Sequence, residues 1–106
     1  MVKITVLRNC EGYIKSIEAK GHSGYAEEGS DIVCAVVSTA VQAVVVCCEE
    51  VHRCEYQADV GDGYLKWSVS DDETAGKLNI LTETLYRVLL QAAEEYSSYI
   101  SIKEVK

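Results

Sequence analysis

IVCAVVSTAVQAVVVCC, residues 32–48, is the stretch on which the fold turns. At 17 residues it sits at the lower limit of the roughly 17–25 that cross a bilayer as a helix. Ser38, Thr39 and Gln42 interrupt it, and the polar positions are not scattered. Asp31, Cys34, Ser38 and Gln42 are spaced three, four and four, so they share one helical face. Val33, Ala35, Val36, Val37, Ala40, Val41, Val44, Val45 and Cys48 cover most of the remaining circumference. One polar line on an apolar cylinder predicts a core helix rather than a membrane span. Ser30 or Asp31 is placed to cap its start, and it is expected to run to about Glu50 or Val51.

Outward from this helix the chain reads as strands in pairs. Lys3 to Arg8 alternates, with Ile4, Val6 and Arg8 facing one way. Asn9 to Gly12 is a turn, and Tyr13 to Lys20 a second strand, with Ile14 and Ser16 opposing Tyr13, Lys15 and Ile17. The short connection implies an antiparallel hairpin. Arg53 to Val60 and Tyr64 to Ser70 form another pair across Gly61-Asp62-Gly63, where Asp-Gly is a strong hairpin signal. Ser70 and Glu73 resemble a capping box for a second helix. Its apolar stripe is Leu78, Leu81, Leu85, Leu89 and Ala92, with Glu83 and Arg87 paired on its outer side. Tyr99 to Val105 alternates again as a fifth strand. The order β-β-α-β-β-α-β predicts an α+β fold, a two-layer sandwich with a mainly antiparallel sheet and two helices.

Length and composition bound the function. At 106 residues, residues 1–106 are expected to be a single domain with a core that needs no disulfide staples. The net charge of -7 disfavours direct nucleic-acid binding and favours cationic partners. Five cysteines are an odd number, and the N-terminus lacks the features of a signal peptide, so thiols in a reducing cytoplasm are expected. No phosphate-cradling glycine loop, paired acid–base carboxylate motif or serine elbow is present, and no cofactor is implied.

The chemistry concentrates between His22 and Cys34. Cys34 falls in the first turn of the apolar helix, where the macrodipole favours thiolate, and the first-turn N–H groups could stabilise an oxyanion. His22 lies on a loop with Gly21, Gly24 and Gly29, whose tolerance of positive φ lets the loop fold back over the helix start as a lid. Nucleophile and base thus come from one short segment. Asp31 caps the helix or orients His22, and the two roles are compatible. Ser38 bonds the helix backbone or lines the floor of the site. Tyr25, Glu27 and Glu28 on the loop could meet a basic peptide. A rival cluster, Cys47, Cys48, His52 and Cys54, has zinc-type ligands, but its spacing fits no familiar finger and adjacent helical cysteines diverge by about 100°. No metal site is therefore expected.

The segments GHSGY at residues 21–25, GSDIVC at 29–34 and AVVS at 35–38 resemble the ribosomal-processing cysteine proteases, the Prp or YsxB-like family, and the resemblance extends over essentially the whole chain. The commoner loop has alanine where this chain has Ser23. The resemblance implies a cysteine endopeptidase in which Cys34 is nucleophile and His22 is base. It further implies a substrate, the N-terminal extension of large-subunit ribosomal protein number twenty-seven, and a homodimer. Two other readings stay open: a ribosome-assembly module that binds a basic tail without cutting it, and a thiol redox sensor at Cys34.

Overall fold

The computed structural model describes residues 1–21 and 32–106. Its elements are β1 (Val2–Arg8), β2 (Ile14–Lys20), α1 (Ile32–Val46), β3 (Gln57–Gly61), β4 (Tyr64–Ser68), α2 (Asp72–Lys77), α3 (Asn79–Glu95) and β5 (Ile100–Val105). The strands form one sheet in the order β3-β4-β2-β1-β5. Three pairings are antiparallel, and β1 pairs β5 in parallel. Ile4, Val6, Ile17, Leu65 and Trp67 on one face meet Val33, Val37, Val41 and Val44 of α1 and Leu89 of α3 in a shared core. The opposite face carries Lys3, Thr5, Glu18, Lys20 and Lys66. A sheet covered on one side alternates apolar and polar residues in this way, and the architecture is the expected two-layer α+β sandwich.

β2 departs from simple alternation. Leu7 pairs with Ser16 and Arg8 with Ile14, so Lys15 is an extra residue in the ladder. Ile14 and Ile17, three positions apart, would face opposite ways in a regular strand. The bulge lets both point inward, and both are fully buried. The preceding turn is tied by the Asn9 side-chain oxygen, which accepts from the backbone N–H groups of Glu11 and Tyr13, each at 3.0 Å.

α1 lies along the sheet with Val33, Val37, Val41 and Val44 buried, and Cys48 is buried just beyond its end. Val33–Val51 is long and apolar enough to cross a membrane by composition, yet one side of it is part of this core. The helix continues as a single π-helical turn, Cys47–Val51, in which the His52 N–H donates to the Cys47 carbonyl at 2.7 Å. Arg53, at φ 55°, ends it. The third strand consequently starts at Gln57 rather than Arg53.

The second helical region is two helices rather than one. Asp71, not Ser70, is the cap: its carboxylate accepts from the Thr74 N–H at 3.2 Å and the Thr74 hydroxyl at 2.8 Å. These bonds hold the Asp71 carboxyl below its usual range. Leu78, at φ -89° and ψ 0°, separates α2 from α3. The buried line of α3 runs through Thr82, Tyr86 and Leu89, and Leu81 is only half-buried. Thr82 is tolerated there because its hydroxyl donates to the Leu78 carbonyl at 3.2 Å. Glu83 binds Arg8 of β1 instead of its expected neighbour Arg87. Arg8 also binds Glu104 of β5 and stacks over Tyr86, 5.3 Å from the ring centroid. A guanidinium with two carboxylate partners in a half-buried site outweighs one exposed i,i+4 pair.

Candidate active site

The N-terminal end of α1 meets the end of the sheet where β1 begins, β2 finishes and the β3–β4 hairpin turns. A cavity of about 180 Å³ opens there. Cys34 and Ser38, one turn apart on α1, form one wall, with Val37 between them. Val2, Ala19 and Leu65 supply an apolar floor from three neighbouring strands. Val60, Gly61, Gly63 and Tyr64 of the hairpin form the facing wall.

Cys34 is the third residue of α1 and is partly exposed, whereas Val33 beside it is fully buried. The polar line read from the sequence is real along this part of the helix. Cys34 and Ser38 are half-buried, Gln42 is exposed, and the Gln42 amide donates to the Ser38 hydroxyl at 3.0 Å. Ser38 therefore lines the cavity, and its hydroxyl oxygen is oriented by the next turn.

Gly21 joins the two sides of the mouth. Its φ of +96° is one that L side chains rarely adopt, and a Cβ there would sit 2.5 Å from the Met1 carbonyl oxygen. Its N–H donates to the Gly63 carbonyl at 2.8 Å, closing the end of the β2–β4 ladder. At the same edge the Tyr64 hydroxyl donates to Glu18 at 3.0 Å, and this bond to the carboxylate holds the phenol above its usual range. The Lys20 ammonium lies 5.9 Å from the Tyr64 ring centroid.

Of the site residues named from the sequence, Cys34, Ser38 and Gly21 come together at this cavity. His22, Asp31, Gly24 and Gly29, with Tyr25, Glu27 and Glu28 of the same loop, lie outside the described residues. The hairpin wall was not foreseen. Gly61-Asp62-Gly63 signals a turn, but nothing local to it indicates that antiparallel pairing of β4 with β2 carries it to Cys34. The rival cysteine cluster sits at the other end of α1. Cys48 is buried against Trp67, and among the described residues no group of three or more His, Cys, Asp or Glu side chains is arranged to hold a metal ion.

Comparison with known proteins gives matches over nearly the whole chain. Residues 1–101 match the family described as cysteine protease Prp. The ribosomal processing cysteine protease Prp of Bacillus subtilis (strain 168) is 31% identical over 107 aligned positions, covering 96% of each chain. SMU.848 from Streptococcus mutans has a crystal structure that superposes with a TM-score of 0.81 at 32% identity, covering 99% of this chain and 94% of that one. The Prp protease of S. aureus, solved with a covalently linked product peptide, superposes with a TM-score of 0.80 at 23% identity, covering 98% and 99% of the two chains.

Proposed function

The chain belongs to the Prp family of ribosomal-processing cysteine proteases, and from that premise we propose that Cys34 and His22 form a nucleophile–base pair cutting a short N-terminal extension from a basic ribosomal protein. The observation that carries this reading is a partly exposed cysteine in the first turn of α1, opening onto a cavity large enough for a substrate side chain. In the proposed reaction His22 takes the Cys34 proton and the sulfur attacks the peptide carbonyl carbon. The oxyanion is stabilised by the positive end of α1 and the N–H groups of its first turn. Protonated His22 then gives its proton to the departing amine, and water hydrolyses the thioester. Asp31 caps α1 or orients His22. Ser38 borders the reacting sulfur without being a nucleophile.

The substrate proposed is large-subunit ribosomal protein number twenty-seven. Its basic character complements a chain of net charge -7. A homodimer and a cytoplasmic location belong to the same reading. Support for the dimer comes from α1, whose outward side leaves Val36 and Val46 36% and 46% exposed.

The test is incubation with a synthetic extended ribosomal-protein N-terminus, followed by intact mass. Two product masses are expected from the native chain. None is expected from Cys34→Ala, which keeps its fold because the side chain is partly exposed, and almost none from His22→Ala. Turnover by Cys34→Ala, or tight peptide binding by the native chain without any product, would overturn the proposal; the second result would identify a non-catalytic binding module.

A further inference from the structure

At the far end of α1 from Cys34, buried Cys48 and half-buried Cys54 are joined through their backbones and pack in the same core cluster as Trp67. We propose that these two form an intramolecular disulfide when the protein meets a small hydroperoxide, making this end of α1 an oxidation site separate from the proposed catalytic thiol.

The placement follows from how α1 ends. The π-helical turn adds one residue to the last loop of helix, and Arg53, at φ 55°, reverses the chain directly after it. This brings the Cys54 N–H to 2.9 Å from the Cys48 carbonyl oxygen. That bond holds the two residues side by side, as a disulfide requires, since it bridges Cα atoms about 4.4–6.8 Å apart. The two side chains are close enough to influence one another and pack into the same core cluster.

The two thiols differ in access. Cys48 is 1% exposed. Cys54 is half-buried and lines an open cavity of about 320 Å³, with Tyr56, Gln57 and Ser68 among its walls. A small polar oxidant can therefore reach Cys54 and not Cys48. Burial pushes the Cys48 thiol up to about 12, which suits a resolving partner rather than a first nucleophile. The Trp67 indole N–H is fully buried and has no hydrogen-bonded oxygen or nitrogen acceptor among the described residues; the polar atom beside it is the Cys48 sulfur.

The reaction balances in two steps. The Cys54 sulfur attacks one oxygen of hydrogen peroxide, the O–O bond breaks, and the released hydroxide takes the thiol proton as water, leaving a sulfenic acid. The Cys48 sulfur then attacks the sulfenyl sulfur, the S–S bond forms and the S–O bond breaks. Hydroxide leaves with the Cys48 proton as a second water. Two thiols are oxidised by two electrons, and the peroxide is reduced by two.

The experiment uses the full chain carrying Cys34→Ser and Cys47→Ser, treated with hydrogen peroxide at neutral pH, alkylated and digested with trypsin without reduction. Arg53 separates the two partners, so Cys48 falls in the peptide 21–53 and Cys54 in the peptide 54–66. The expected result is these two peptides linked, at their summed mass less two hydrogens, with a loss of fluorescence from the chain's single tryptophan that dithiothreitol reverses. Sulfinic acid at Cys54 with no linked peptide, or no reaction at either thiol, overturns the proposal. In the otherwise native chain, Cys54→Ser must abolish any link between peptide 21–53 and the segment 54–66. Because Cys48→Ala could disturb the core, it is read only as a second check, with far-UV circular dichroism confirming its fold. A link that survives in it assigns the bridge to Cys34 or Cys47, the other thiols of peptide 21–53, and also overturns the proposal.

Discussion

Gly21 shows how much one residue can decide. It ends β2, holds the Gly63 carbonyl through its N–H, and lies against the first carbonyl of the chain. Gly21→Ala forces a Cβ to within 2.5 Å of the Met1 oxygen at a φ of +96°. The expected cost is about 1–3 kcal/mol, read as a lower urea midpoint, because both the backbone strain and the displaced N-terminus act on the folded state. Peptide cleavage should fall as well, since the same bond positions the hairpin wall opposite Cys34. An unchanged midpoint would show that the mouth of the cavity tolerates a side chain there. The need for glycine at this position was half legible in the sequence, as permission for positive φ in a loop. The close approach of Met1 and the partnership with Gly63 were not legible, because both depend on strand pairings between distant segments. Cys34 was legible for the opposite reason. Its position in a helical turn and its polar neighbours at three- and four-residue spacing are local facts.

Among the elements, β2 carries the clearest lesson. Period-two reading placed Ile14 and Ile17 on opposite faces, and a single extra residue at Lys15 reconciles them. Deleting Lys15 should restore a regular ladder and drive one of the two buried isoleucines to the polar face. The expected loss is about 1.5–3 kcal/mol in urea or thermal unfolding. Lys15→Ala is the control. It keeps the bulge and removes only a partly exposed ion pair with Asp72, at 3.8 Å, so its stability should change by about 0.5 kcal/mol or less. Equal effects from the two changes would mean that the bulge does not set the register. The helices were misread for a related reason. Periodicity finds an apolar stripe but does not register that Thr82 can be buried when its hydroxyl bonds a backbone carbonyl, or that Asp71 outcompetes Ser70 as cap by reaching both the N–H and the hydroxyl of Thr74.

At the scale of the whole molecule, α1 poses the remaining question, because it is apolar on more sides than one sheet can cover. Its core side, Val33, Val37, Val41 and Val44, is fixed by packing against β4 and α3 in the shared core. The outward positions Val36, Thr39, Ala43 and Val46 are spaced three, four and three, so they form a second stripe on the same helix. Val36 and Val46 are 36% and 46% exposed, and Thr39 and Ala43 between them are small enough for another helix to approach closely. The sequence showed valines all round and could not say which would face the sheet; only the fold separates the two stripes. If a second copy covers the outer one, sedimentation equilibrium should give a dimer for the native chain at micromolar concentration. Val36→Lys with Val46→Lys should give a monomer with an unchanged far-UV spectrum, because neither side chain belongs to the core. A native chain that stays monomeric at concentrations near millimolar would leave the outer stripe in water and remove the dimer from the proposed function. The Cys34 cavity opens at the N-terminal end of this helix, so pairing along its length would set two such cavities in a fixed relation, and loss of cleavage in the monomeric variant would show that one chain's site depends on the other.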